Sequence, residues 1–261
     1  MKRSLKRLLR WLPGPLYRGL RRLSWHLGRG GMPSSIQPGP FLSRVYARVN
    51  AIQGWLKPED AAQFSLLLNA QSGLGLRGDI LEIGCYHGRS SALLALHLQP
   101  DERLVVCDAF DLPVAEPYAP TPTPLTLRSN LQGVVPGLRG EALEIHRCLS
   151  HELRLPESAR FRFVHVDGAH DEAACAHDLR LAARHLLPGG IIAVDDYEHP
   201  HYPGVAAAAR GFLAANPDFQ VLGDVNRVGA LGRKLYLCRG QPNRAPVVGM
   251  ISPVVAEQSA R

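Results

Sequence analysis

Short apolar runs recur along the second half of the chain with a regularity that names its architecture. They fall at 80–83, 103–107, 142–145, 161–166 and 191–194, each followed by a helical or loop stretch. Runs of that length, apolar on both faces and separated by crossovers, predict a parallel sheet buried between helices. Two further candidates, 219–222 and 234–238, have no helix between them and predict a hairpin. The expected fold class is therefore α/β. It is a doubly wound, mostly parallel seven-stranded sheet with a C-terminal antiparallel hairpin and helices on both faces.

The first half reads differently. Helical spacing covers 42–56 and 58–70, the second opening Pro58-Glu59-Asp60, a sequence suited to a helix N-terminus. Residues 28–40 are rich in Gly, Pro and Ser and read as a linker. Residues 111–126 hold five prolines, which predicts an irregular loop of the kind that covers or selects a ligand. Three parts follow: an arm and linker at 1–40, a catalytic body at 41–240, and a polar tail at 241–261.

Charge changes this picture in one place only. The chain has 261 residues and a formal net charge of +7, from 30 Lys and Arg against 23 Asp and Glu. Nine of those cations, and no acid, lie within residues 1–31, so the body itself is slightly acidic. In the arm, Leu5, Leu8, Leu9 and Leu12, then Leu16, Leu20, Leu23 and Leu27, draw an apolar stripe that Pro13-Gly14-Pro15 interrupts. A membrane surface, a targeting segment and a plain extension all remain open for it. The body carries no basic face for nucleic acid. The five cysteines are scattered and none forms a C-x-x-C, which fits a reducing, cytoplasmic setting.

The chemistry-bearing residues gather at predicted strand ends. Glu82-Ile83-Gly84-Cys85-Tyr86-His87-Gly88-Arg89-Ser90 links the first strand to a helix. Its glycines allow a tight turn and close approach of a ligand. The run is E-x-G-x-x-x-G, not the G-x-G-x-x-G of dinucleotide sites, and its acid suits a ligand bearing positive charge. Asp108 ends the next strand, where an acid accepts ribose hydroxyls. Together they point to S-adenosylmethionine over a nicotinamide cofactor. Farther on, Asp167-Gly168-Ala169-His170 ends one strand and Asp195-Asp196 ends its expected neighbour. Three converging carboxylates would repel one another without a cation, which suggests Mg2+ or Mn2+. Capping of the following helices is the alternative for Asp167 and Asp195. His170 is placed to take a proton. His165 reads as structural, pointing away from Asp167. His199 and His201 read as residues of a solvated loop.

With those motifs in place, the chain resembles the class I S-adenosylmethionine-dependent methyltransferases, which are Rossmann-like. Within them it is similar to metal-dependent O-methyltransferases of the Methyltransferase-24 type, a group akin to sugar and catechol O-methyltransferases. The resemblance runs over roughly 52–238 and rests on IQGWL, ILEIGCYHGRSS, FVHVDGAH and LLPGGIIAVDDY. It implies that Glu82, Gly84, Tyr86 and Ser90 hold the methionine end of the cofactor, Asp108 the ribose, and Ser150 the adenine. It implies a metal on Asp167, Asp195 and Asp196, with His170 as general base. Catechol-type relatives carry Lys where this chain has His170, which favours a sugar or polyol hydroxyl, a vicinal diol. The rival readings are a nucleotide-binding oxidoreductase on a similar sheet, an inactive membrane-associated protein that keeps the fold, and an RNA methyltransferase guided by the basic arm, against which the nearly neutral body counts. The expected partner is a small-molecule or sugar acceptor and not nucleic acid. Membrane contact through 1–31, making the protein peripheral, and a homo-oligomer both stay open.

Overall fold

The computed structural model describes residues 40–114, 119–227 and 229–240. The basic arm, most of the linker and the C-terminal tail lie outside the described residues. Two helices come first, α1 (Pro40–Ala51) and α2 (Pro58–Gly73). The sheet then alternates with helices: β1 (Asp79–Ile83), α3 (Arg89–Ala95), β2 (Leu104–Asp108), α4 (Pro124–Val134), β3 (Leu143–Arg147), β4 (Phe161–Val166), α5 (Glu172–His185), β5 (Leu186–Tyr197), α6 (Pro203–Ala215), β6 (Phe219–Asn226) and β7 (Arg233–Arg239). The seven strands lie in the order β3-β2-β1-β4-β5-β7-β6. All neighbours are parallel except β7, which runs antiparallel to β5 and to β6. This is the doubly wound, seven-stranded arrangement expected from the pattern.

The order reverses at β1, whose two sheet neighbours are β2 and β4. Crossovers leave that point in opposite directions, so the carboxyl ends of β1 and β4 border a crevice where such folds bind ligands. Both faces of the sheet are sealed. Ile80, Val106, Phe163 and Ile191 pack with Phe64 of α2 and Leu93, Leu94, Leu127 and Leu131 of α3 and α4. Their alternates Leu81, Val105, Val164 and Ile192 pack against Leu179 of α5 and Ala209 and Phe212 of α6. Strand alternation thus divides each apolar run between two cores.

Several local outcomes differ from the pattern. The proline-rich segment is not irregular to its end, because α4 begins at Pro124. Proline is tolerated in the first turn, where its missing N–H has no helical partner. Thr123 caps this helix, its hydroxyl accepting from the Thr126 amide at 3.1 Å. Strand β5 is longer than the apolar run and starts at Leu186, pairing that residue with Phe161. At the amino end of the sheet, Arg162 is fully buried. Its guanidinium donates to both oxygens of Glu102, at 2.8 and 2.7 Å, and to the carbonyl of His97. That buried pair ties β4 to the approach of β2 and stands far from the crevice.

Candidate active site

The turn after β1 is held open by backbone conformation and braced by one acid. Gly84, Tyr86 and Gly88 have φ of 82°, 50° and 87°. A β-carbon at Gly84 would collide with the backbone carbonyl of Asp167, and one at Gly88 with Leu127 of α4. Gly84 therefore needs glycine for space as well as conformation, and Gly88 for its conformation. Asp108 accepts from the amides of Cys85 and Tyr86 at 2.8 Å each with one oxygen, and from the amide of Phe110 at 2.6 Å with the other. Burial pushes its carboxyl upward, against these amides. The Cys85 thiol lies against the same carboxyl, so three amides and a thiol hold it in place.

Glu82 departs from the expected cofactor role. It is fully buried, accepting from the Ser91 hydroxyl with one oxygen and meeting His165 Nδ1 at 2.8 Å with the other. Both oxygens are turned into the protein. The Tyr86 ring is buried too, facing Trp55 at 5.4 Å between ring centres. Its hydroxyl accepts from Gln53 Nε2 at 3.1 Å and reaches the carbonyl of Pro120. The segment before α2 and the proline-rich loop thus meet over the turn. Ser90 is buried in the first turn of α3. Ser150 lies beyond β3 with its hydroxyl against Asp178 of α5, a fully buried carboxyl that burial raises to about 6.

His165 was expected to point away from Asp167, and the structure corrects this. Residues two apart on a strand share a face. Its partner across β1 is Glu82. A bond to Glu82 assigns the proton to Nδ1 and leaves Nε2 to accept from Lys234 Nζ at 2.9 Å. Burial, then the Lys234 charge, lower the pKa of this imidazole and keep it neutral. Among the described residues, His165, Asp167 and Asp195 form the one group whose potential ligand atoms lie within 4.8 Å of one another.

The three acids lie near one another but have different partners. Asp195 points inward. Its Oδ2 accepts from Lys234 Nζ at 2.8 Å, and its Oδ1 takes Arg227 Nη1 at 2.7 Å and the Asp196 amide. Burial opposes the charge, but Arg227 and then Lys234 hold this carboxyl well below the usual carboxylate range. Arg227 also contacts Asp60 of α2 at 3.2 Å, and the Asp60 carboxylate accepts from the Lys57 amide. Asp196, with φ of 51°, turns to His170 Nε2 at 3.2 Å. Asp167 feels the Lys234 charge only at longer range. Burial and then Asp195 push its carboxyl well above the ordinary range. It does not cap α5, since Asp171 does that, accepting from the Ala174 amide. A divalent ion shared by Asp167, Asp195 and Asp196 would have to compete with Arg227 and Lys234 for Asp195.

His170 is clamped. Its ring stacks on Tyr202 at 4.3 Å, and His199 stacks on Tyr202 at the same distance. The N-terminus of α6 lies directly on the backbone of residues 170–172, because Gly204 leaves no β-carbon between them. His199 is buried, contrary to the solvated loop expected. The sequence reading passed over Lys234, Arg227 and Asp60. Lys234 left one visible signal, a charge in an inward-facing register of an otherwise apolar strand.

Residues 81–197 match the family model described as a methyltransferase domain. No curated protein matches the sequence. Among solved structures, the O-methyltransferase TomG from Streptomyces achromogenes, in complex with SAM, shares 21% identity with a TM-score of 0.54, over 79% of this chain and 92% of that one. NovP, an O-methyltransferase, shares 15% with a TM-score of 0.58, over 88% and 100%. CalS11, a TDP-rhamnose 3'-O-methyltransferase of calicheamicin biosynthesis, shares 18% with a TM-score of 0.52, over 79% and 97%.

Proposed function

We propose that this chain, whose residues 81–197 match a methyltransferase-domain model, is a class I methyltransferase that moves a methyl group from S-adenosylmethionine to a hydroxyl oxygen of a small-molecule or sugar acceptor. One juxtaposition carries the reading. The glycine turn braced by Asp108 and the His170–Asp196 pair border the same crevice, joined where Gly84 packs on Asp167. S-adenosylmethionine supplies an electrophilic methyl on a sulfonium sulfur. The residues present suit that ligand. The turn offers backbone for close approach, Asp108 at the end of β2 would accept a ribose hydroxyl, and Ser150 would lie near the adenine.

His170 does the proton work. Asp196 accepts from its Nε2, which leaves Nδ1 as the basic atom. Nδ1 takes the hydroxyl proton as the oxygen attacks the methyl carbon and the sulfur–carbon bond breaks. Asp196 steadies the resulting imidazolium, and the hydrogen bond from His170 holds Asp196 ionised against its burial. Tyr202 fixes the plane of the ring. Positioning of this kind, with general base catalysis, supplies most of the acceleration such a transfer needs. Gln53, Trp55 and Pro120, packed over Tyr86, form the wall that selects the acceptor.

The acceptor we favour is a sugar or polyol hydroxyl. Imidazole at position 170 supports it, and CalS11 acts on a rhamnose. Incubating the full chain with S-adenosylmethionine and a panel of sugars, polyols and catechols, read by mass, tests this. Gain of one methyl on a sugar or polyol is expected. Methylation confined to catechols would overturn the acceptor class.

A further inference from the structure

We infer that Lys234 and Arg227 are the resident cations of Asp195, and that Lys234 fills the place where a divalent metal bridging His165 and Asp195 would have to bind. The geometry is restrictive. His165 Nε2 and Asp195 Oδ2 lie 4.0 Å apart, and Lys234 Nζ is 2.9 and 2.8 Å from them. An ion bridging those two atoms at ordinary ligand distances would sit about 2 Å from the ammonium nitrogen. That is a collision, and between like charges. The other oxygen of Asp195 faces the Arg227 guanidinium at 2.7 Å.

Neither cation is free to leave. Lys234 is on β7, registered beside β5, and is 1% exposed. Its ammonium also lies over the Phe64 ring at 4.9 Å. Arg227 is held by Asp60 of α2 and by the carbonyl of Gly232 in its own hairpin. A buried carboxylate needs a partner, and here the fold provides two. Lys234 is therefore a positioning residue. It fixes Asp195 and, through His165, the buried Glu82 beneath the glycine turn. On the methyl-transfer reading above, His165 and Asp195 then hold no divalent metal during the transfer, and Arg227, 3.7 Å from Asp196, lies beside the His170–Asp196 pair.

Manganese titration followed by electron paramagnetic resonance tests this on the full, chelator-treated chain. Wild type is expected to leave Mn2+ free up to roughly millimolar concentration. Lys234→Met vacates the space between His165 and Asp195, and its Mn2+ affinity is expected to rise by about tenfold or more. Lys234→Arg, which keeps the charge, should stay silent. Uptake of one Mn2+ by wild type at micromolar concentration, lost in Asp195→Asn, would overturn the inference. So would a folded Lys234→Met variant that remains blind to Mn2+. Should that variant not fold, the wild-type titration decides alone. Binding of S-adenosylhomocysteine, measured separately by calorimetry with and without chelator, reports on the methyl-transfer reading itself. Loss of that binding in both conditions would count against the function and leave the metal result standing.

Discussion

Gly84 lies directly against the backbone carbonyl of Asp167, so closely that a β-carbon on the first would overlap the second. The glycine turn after β1 and the segment leading to His170 are therefore one packed unit. The amide of Asp167 donates to the carbonyl of Ile83 at 2.8 Å, which locks the two strand ends together.

Gly84→Ala should break this unit. The φ of 82° strains any L residue, and the β-carbon must push β4 away from β1. Conformational strain alone costs about 1–3 kcal/mol. A lowered melting temperature and loss of S-adenosylhomocysteine binding are expected together. A variant that melts as wild type does and binds normally would show that the contact is slack.

Asp196→Asn should leave the fold intact and slow the chemistry. The asparagine no longer fixes the proton on His170 Nε2, so the basic Nδ1 is lost for much of the time. General base catalysis is worth roughly 100- to 10,000-fold, so kcat should fall within that range. Cofactor affinity should change little. Equal losses in kcat and in cofactor affinity, read by steady-state kinetics and calorimetry, would place Asp196 in binding instead.

Asp178 should make stability fall as pH rises. Burial raises its carboxyl to about 6, above the roughly 3.9 of an unfolded chain. Between those values the native protein holds a proton that the unfolded chain has released. Stability is therefore full below about pH 4 and declines by up to about 3 kcal/mol as pH passes through 6. Urea unfolding across that range should show the slope in wild type and a flatter line in Asp178→Asn. The same slope in both would assign it to another group.

The sheet was legible because each parallel strand is apolar on both faces, and the hairpin because no helix separates its strands. The His170 motif was legible because a polar run ended an apolar strand. What the sequence hid depends on pairings distant along the chain. Lys234 and Asp195 are 39 residues apart, and Arg227 and Asp60 are 167 apart. Only the insertion of β7 between β5 and β6 brings Lys234 to Asp195, so the cations that pair with Asp195 were not legible beside the strand-end acids. His165 was misjudged for a simpler reason, since strand alternation places it on the face of Asp167. Residues 1–31 hold nine cations and no acid, while Asp195 and Asp196 find their partners within the fold.

Calorimetric titration of the full chain with S-adenosylmethionine and, in parallel, with NAD tests the central claim most directly. S-adenosylmethionine should bind at a single site, weaken by at least about tenfold in Asp108→Ala as a hydrogen-bonded acid and the brace of the turn are removed together, and leave NAD without measurable heat. Binding of NAD with none of S-adenosylmethionine would contradict the account.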